Sequence, residues 1–381
     1  MLLRAYLLRA AFEGSGWNRS KRERDRKKMR RFFADILREP RQLAACVNRM
    51  VESPSTLLHE AANLLRREQT TYVVGIGSSW NAALAVATLL NSAGYPAIAA
   101  DASELLYFAL IPHNATCIVL SRSGRSVEIV KLMDKFQAAE ASVIAVTNTS
   151  DSPLGQRAKV TLLLESPFDH MASVSMYSML ALVGGLVAET CKGTDLSVLG
   201  GELTTALAFA ESRIATWGAQ IQDSRWSRED TPVYFLARGA SLASCHEARL
   251  LWEEAAKRPA TALTTGSFRH GSQEIIRPSI RIGLWLQNNI MREEDLQLAA
   301  DLREAGASVL LVGSKLYDVM ADLALDLPLT PAGWEFLIDI IPLQLAAEFS
   351  AEHHNEDCDA FRFCPYVVEE EGGLVGGHAG M

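Results

Sequence analysis

From Thr71 onward, short apolar runs alternate with stretches in which apolar residues recur every three or four positions. The runs at 71–77, 96–101, 116–121, 142–148 and 159–165 are rich in Val, Ile, Leu and Ala and are too short for helices, so each is predicted to be a strand. Helical periodicity is predicted between them, from Asn81 to Ala93, near Glu104, and from Ser126 to Ala139. Strands that are apolar along their whole length and separated by helices predict a parallel sheet covered on both faces. Before this set, Arg30 to Arg67 is helical in pattern, with Pro40 inside it.

Residues 171–226 read as helical, with breaks near Gly193 and Gly200. The strand–helix order then repeats. Runs at 232–239, 260–266, 279–286, 308–314 and 323–329 are separated by helical stretches from Leu242 to Lys257 and up to Glu304. The second set follows the first element by element. The expected fold class is therefore α/β, with two doubly wound parallel-sheet domains from an internal duplication and flanking helices. The expected divisions are a basic extension at 1–28, helices at 29–68, a first domain at 69–225, a second at 226–352 and a tail at 353–381. An apolar helix is predicted from Leu337 to Glu352, and the Gly-rich end of the tail is expected to fray.

Charge changes this picture only at the start of the chain. The net charge is −8, but residues 1–28 carry nine Lys/Arg against three acids, which leaves −14 on the rest. An acidic body argues against a broad nucleic-acid surface. Residues 1–28 fit nothing after them, and Met29 is the expected native start. The six cysteines, at 46, 117, 191, 245, 358 and 364, show no paired or metal-like spacing. They are expected to be buried, reduced thiols in a cytoplasmic protein. No apolar stretch has the length of a membrane span.

The chemistry is concentrated after the third strand, in Cys117-Ile-Val-Leu-Ser-Arg-Ser-Gly-Arg-Ser-Val-Glu128. A strand, a polar turn and a helix start together offer backbone N–H groups, three hydroxyls and the positive end of a helix dipole. The turn has no Lys and no GxxxxGK[ST] pattern, so it is not a nucleoside-triphosphate loop, and hydroxyls suit a sugar phosphate better. The competing structural reading is a solvated Ser-rich turn with Ser126 as a helix cap. The duplication separates the two readings. The equivalent turn in the second half, Gln287 to Asp295, has no hydroxyls and three acids. Two equivalent structural turns have no reason to diverge in this way.

These residues resemble the SIS (sugar isomerase) family. Gly77-Ser78-Ser79, Ala102-Ser103-Glu104, Ser121-Arg122-Ser123-Gly124-Arg125-Ser126, Thr147-Asn148 and Ser152-Pro153-Leu154 resemble its first domain. Arg238-Gly239, Glu247, Glu254 and Gly266-Ser-Phe-Arg-His270-Gly271 resemble the second. The likeness covers about residues 30–370, in order and at matching spacing. It extends to the isomerase half of glucosamine-6-phosphate synthase and to free-standing (AgaS-like) amino-sugar-phosphate deaminases and ketose/aldose isomerases.

The resemblance implies a role for each position. Ser121, Ser123 and Ser126, with backbone N–H groups near Arg122, hold the phosphate. Ser78 and Ser79 flank the sugar, and Ala172 and Ser173 line it. Glu254 and His270 form the acid/base pair, with Glu254 moving a proton between C1 and C2 and His270 opening the ring. It also implies a homodimer in which His270 reaches the partner's site, and neither metal nor organic cofactor. Glu247, Leu251 and Glu254 share one helix face, whereas Glu253 points about 100° away. Two positions depart from the synthase pattern. Leu251 stands one turn before Glu254 where the synthase has Lys, and Tyr366 stands at the Schiff-base lysine position, with no Lys after Lys315.

The expected function is a glutamine-independent phosphosugar isomerase or deaminase acting through an enediol-type intermediate. The alternatives are a deglycase acting on sugar-phosphate–amine adducts and a non-catalytic sugar-phosphate sensor. A sensor that regulates transcription needs a DNA-binding domain, and residues 1–28 are too short for a helix-turn-helix.

Overall fold

Each apolar run of the first half forms a strand of one parallel sheet. In the computed structural model, which describes residues 29–52, 56–66, 70–317 and 319–373, these are β1 (Thr71–Gly75), β2 (Ala97–Asp101), β3 (Thr116–Leu120), β4 (Ser142–Thr147) and β5 (Val160–Leu163). Their order across the sheet is β2-β1-β3-β4-β5, all parallel. The second half gives β6 (Val233–Ala237), β7 (Ala260–Thr264), β8 (Arg281–Trp285), β9 (Ser308–Ser314) and β10 (Leu323–Leu327). Their order, β10-β9-β8-β6-β7, is the same topology read from the other edge. The repeat seen in the pattern is thus a repeat of topology. The expectations for residues 1–28 and for the last residues of the tail lie outside the described residues.

Thirteen α-helices among the described residues surround and join the sheets. They are α1 (Arg31–Glu52), α2 (Thr56–Leu65), α3 (Ser78–Ser92), α4 (Ala102–Tyr107), α5 (Val127–Ala138), α6 (Pro153–Arg157), α7 (Ser175–Lys192), α8 (Leu196–Asp223), α9 (Ser241–Glu254), α10 (Thr265–Arg269), α11 (Arg292–Glu304), α12 (Phe336–Asp339) and α13 (Ile341–His353). Among the described residues, no helix is long and apolar enough to cross a membrane.

The centre of the core is α7, which is buried from Ser175 to Cys191. A helix apolar on every face belongs inside a large core. At Gly184 an added Cβ would lie 2.6 Å from Val86 Cγ2 of α3, so glycine alone allows the two helices to approach this closely. That contact fixes α3, whose first residues, Ser78 and Ser79, face the candidate site.

Several sequence expectations are corrected. The break expected at Gly200 is absent, and α8 runs through it because Gly200 packs against Val47 and Val51 of α1. That packing outweighs the cost of about 1 kcal/mol for glycine inside a helix. The break at Gly193 is present, with the residue in the left-handed conformation at φ 81°. The last apolar helix is two pieces, α12 and α13, rather than one. The tail folds back onto the body as far as it is described. The Asp359 carboxylate accepts the Arg31 and Phe32 N–H groups at 2.8 Å each, capping α1. The Val368 carbonyl accepts the Val127 N–H at 3.0 Å. Cys364 is exposed, and the other five cysteines are buried and free.

Buried carboxyls pin the segment between β5 and α7. Asp169 accepts the Val174 and Met176 N–H groups, each at 2.8 Å. Glu39 of α1 accepts the Ser178 hydroxyl at 2.6 Å. Burial pushes Glu39 up to about 8, Asp169 to about 6 and Asp339 to about 7. These groups are neutral in the folded protein at acidic pH and are forced to ionise inside it at higher pH. The stability they contribute is complete below their ordinary values of 4.5 for Glu and 3.8 for Asp. It is lost as pH rises through about 6 to 8. The melting temperature, measured by scanning fluorimetry in constant ionic strength, is therefore expected to fall between about pH 5 and pH 8.5. A flat or rising curve over that range contradicts this assignment.

Candidate active site

At the carboxyl edge of the first sheet the chain forms an open pocket of about 210 Å³. This is where doubly wound sheets bind ligands, and strand order reverses there between β1 and β3. Its walls come from four places: the start of α3, the loop from Ser121 to Ser126, the segment after β5, and the end of α9 with the folded-back tail.

The 121–126 loop is built so that its hydroxyls are left to donate. Ser121 Oγ accepts the Gly124 N–H at 3.1 Å, and Ser123 Oγ accepts the Arg125 N–H at 3.2 Å. A hydroxyl that accepts in this way still has its proton to give. Ser126 occupies the cap position of α5, but its side chain makes no capping hydrogen bond, so the structural reading of Ser126 as a side-chain cap is not what the fold adopts. The N–H groups of Gly124, Arg125 and Val127 are committed within the chain. Gly124 sits at φ +63°, and a Cβ there would lie 2.2 Å from Ser152 Oγ. This holds the loop against the start of α6.

Arg122 crosses the pocket. Its guanidinium donates to the Tyr366 carbonyl at 2.6 Å and lies 3.8 Å from the centroid of the Tyr366 ring. The Tyr366 hydroxyl donates to the Asp169 carbonyl at 3.0 Å. One tail residue thus ties Arg122 of the 121–126 loop to the segment that carries Ser173.

Glu254 is the last residue of α9 and borders the pocket. The chain turns away just after it. Lys257 adopts φ +55° and its ammonium donates to the carbonyl of Glu254 and, at 2.9 Å, to that of Ala360. Burial pushes the Glu254 carboxyl up to about 7, against the opposing pull of Arg122, Lys257 and Arg249. A carboxyl balanced near neutrality can both take and return a proton. Glu253 is no substitute, because it is paired with Arg249 and lies outside this pocket.

Of the residues named from sequence, Ser78, Ser79, Ser121, Arg122, Ser123, Ser126, Ser173 and Glu254 meet at the pocket. Two do not. Ala172 is 2% exposed, packed in the core and not in the wall; its neighbours Met171 and Ser173 line the pocket instead. His270 ends α10, exposed on the second half and outside the lining. One chain therefore does not bring Glu254 and His270 together. Sequence reasoning missed Glu128 and the tail residues Phe361, Cys364, Pro365, Val367 and Val368. Only Tyr366 gave a signal there, through its position.

The equivalent turn of the second half is closed on itself. The Arg238 guanidinium donates to both oxygens of the buried Asp295 at 3.0 Å. Gln287 bonds back to the Arg238 carbonyl and to Ser241. Of the three acids in this turn, Asp295 thus serves structure, and Glu293 and Glu294 are exposed. Among the described residues, no group of three or more His, Cys, Asp or Glu is placed to hold a metal.

A model of the SIS domain matches residues 64–187. Glutamine–fructose-6-phosphate aminotransferase of Pyrobaculum aerophilum is 25% identical over 347 residues, 88% of this chain and 57% of the relative. The chain spans about half the length of the curated relatives it matches. Among solved structures, glucosamine-6-phosphate deaminase from Thermotoga maritima aligns with a TM-score of 0.75 at 18% identity, over 89% of this chain and 99% of that one. Tagatose-6-phosphate ketose/aldose isomerase from Escherichia coli aligns with a TM-score of 0.73 at 19% identity, over 86% and 94%. A SIS-domain match in the first half and the same sheet topology in the second give this chain a tandem SIS fold, similar in sequence to glutamine–fructose-6-phosphate aminotransferases over part of their length.

Proposed function

We propose that the protein is a sugar-phosphate isomerase or deaminase that works without glutamine. It converts an amino-sugar 6-phosphate and water to a ketose 6-phosphate and ammonia, or interconverts aldose and ketose phosphates. The observation that carries this reading is the meeting, in one pocket, of three loop hydroxyls and a carboxyl balanced near neutral pH. Ser121, Ser123 and Ser126 donate to the phosphate. Glu254 as carboxylate takes the C2 proton of the open-chain sugar and returns it to C1, while O1 gains a proton and the C2 oxygen or nitrogen releases one, exchanged through water. For an amino sugar the product is a C2 imine, which water hydrolyses to the ketone and ammonia. Glu254 ends as it began.

Nitrogen transfer through a lysine imine lacks its lysine here. Leu251 is buried in the core and Tyr366 lines the pocket, and no lysine is among the lining residues. Turnover of amino-sugar 6-phosphates, followed as ketose and ammonia release, tests the reading. Glutamine-dependent amino-sugar synthesis, or an imine trapped on a lysine by borohydride, overturns it. Binding without turnover points to a sensor instead.

His270 is assigned to the site of a second copy in a homodimer. Its exposed place on the second half, away from its own chain's pocket, supports this. Mixing inactive Glu254→Gln and His270→Asn chains is then expected to restore part of the activity, since mixed dimers hold one intact site. No recovery on mixing and reassociation contradicts the shared site.

Ser121→Ala and Ser126→Ala are each expected to weaken substrate binding by about tenfold or more, because a hydrogen bond to a charged group contributes about 1.5–3 kcal/mol. Unchanged affinity in both, with the fold intact, removes the loop from the site.

Glu254→Gln is expected to abolish exchange of the C2 proton with solvent while retaining binding. In the wild type, kcat/KM should rise as pH climbs through about 7, where the Glu254 base loses its proton. Full isomerisation by Glu254→Gln sinks the assignment.

A further inference from the structure

Behind Ser78 lies a carboxyl that the proposed reaction does not use. Glu247, about two turns before Glu254 on the same face of α9, is 0% exposed. Ser78 Oγ donates to its Oε1 at 2.9 Å, and Asn81 Nδ2 donates to its Oε2 at 2.7 Å. The position one turn further along the helix is Leu251, so no cation reaches the carboxyl from there. Arg249, on the same helix, is engaged with Glu253.

Such a group has two states with different consequences for Ser78. When Glu247 is ionised, it takes the Ser78 proton, and only the lone pairs of Ser78 face the pocket. When it is neutral, Oε2 still accepts from Asn81, so the carboxyl proton sits on Oε1 and its acceptor is Ser78 Oγ. Ser78 must then turn its own O–H elsewhere, and the pocket is the open side.

We propose that Glu247 is a positioning residue that sets the hydrogen-bond polarity of Ser78, making it a donor to a substrate oxygen when Glu247 is neutral and withdrawing that donor when Glu247 ionises. This rests on the pocket being a sugar-phosphate site. Burial pushes Glu247 up to about 8, with the charge of Glu254 adding to the rise and Arg249 opposing it. A further titratable group facing it is Tyr177 of α7, which burial holds well above its ordinary value. The adjacent His246, packed on Trp80, is held down to about 4 and stays neutral over the range that matters.

The test is calorimetric binding of fructose 6-phosphate between about pH 7.5 and 9.5, where its phosphate stays a dianion. Wild-type affinity is expected to fall by about tenfold across this range, the loss of one hydrogen bond to a charged or strongly polar group. Glu247→Gln places an amide donor on Ser78 at every pH, so it is expected to keep the high affinity throughout. Ser78→Ala is expected to bind weakly with no pH step, and it keeps the proposal testable if Glu247→Gln does not fold. A wild-type-like step in either variant overturns the proposal, as does pH-independent binding by the wild type. Failure of the wild type to bind any of the 6-phosphates of fructose, tagatose, glucosamine and galactosamine at pH 7.5 instead overturns the sugar-phosphate reading itself.

Discussion

The pocket depends on where the Arg122 guanidinium is held. Its own carbonyl is fixed by the Asn148 N–H at 3.1 Å and the Thr147 hydroxyl at 3.3 Å, which sets the loop on the sheet edge. Its side chain is then held by a residue 244 positions later, through the Tyr366 carbonyl and ring. From that place it is the largest influence holding the Glu254 carboxyl down against burial. The 121–126 loop, the Glu254 carboxyl and the tail are thereby one electrostatic unit. Without the tail, the cation is free to swing to solvent, and Glu254 loses its main counterweight.

The two halves show how one topology serves two purposes. Both sheets place a turn and a helix start after their third strand. In the first half the turn keeps its hydroxyls pointing to an open pocket. In the second, the buried Asp295 carboxylate draws Arg238 Nε onto itself and places a negative charge at the helix start. A carboxylate at that position disfavours a ligand anion. Core packing carries the asymmetry no further, since α7 and α9 draw both sheets onto one continuous apolar core.

Much of this was legible in the sequence because it depends on local pattern. The ten strands are short apolar runs, and the Ser121–Ser126 turn differs in kind from Gln287–Asp295. The spacing of Glu247, Leu251 and Glu254 put the first and last on one face. What was not legible depends on contacts distant along the chain. Gly200 reads as a helix break until Val47 and Val51 are seen beside it. Ala172 and Ser173 are neighbours of similar size, and only the loop wound around Asp169 decides which faces the pocket. In the tail only the position of Tyr366 hinted at the site; nothing local marks Phe361, Cys364, Pro365, Val367 and Val368 as its wall. Cys364 is exposed for the same reason, because it lies on that wall. The hydrogen bond from Ser78 to Glu247 joins residues 169 positions apart and has no local signature.

The central claim is that the first-half loop holds the phosphate of a sugar whose C2 lies beside Glu254. A crystal structure with a bound amino-sugar 6-phosphate tests this most directly. The account predicts phosphate oxygens within hydrogen-bond distance of the Ser121, Ser123 and Ser126 hydroxyls, with the sugar carbons extending past Ser78 toward the Glu254 carboxyl. A phosphate seated elsewhere, or a sugar chain directed away from Glu254, contradicts it.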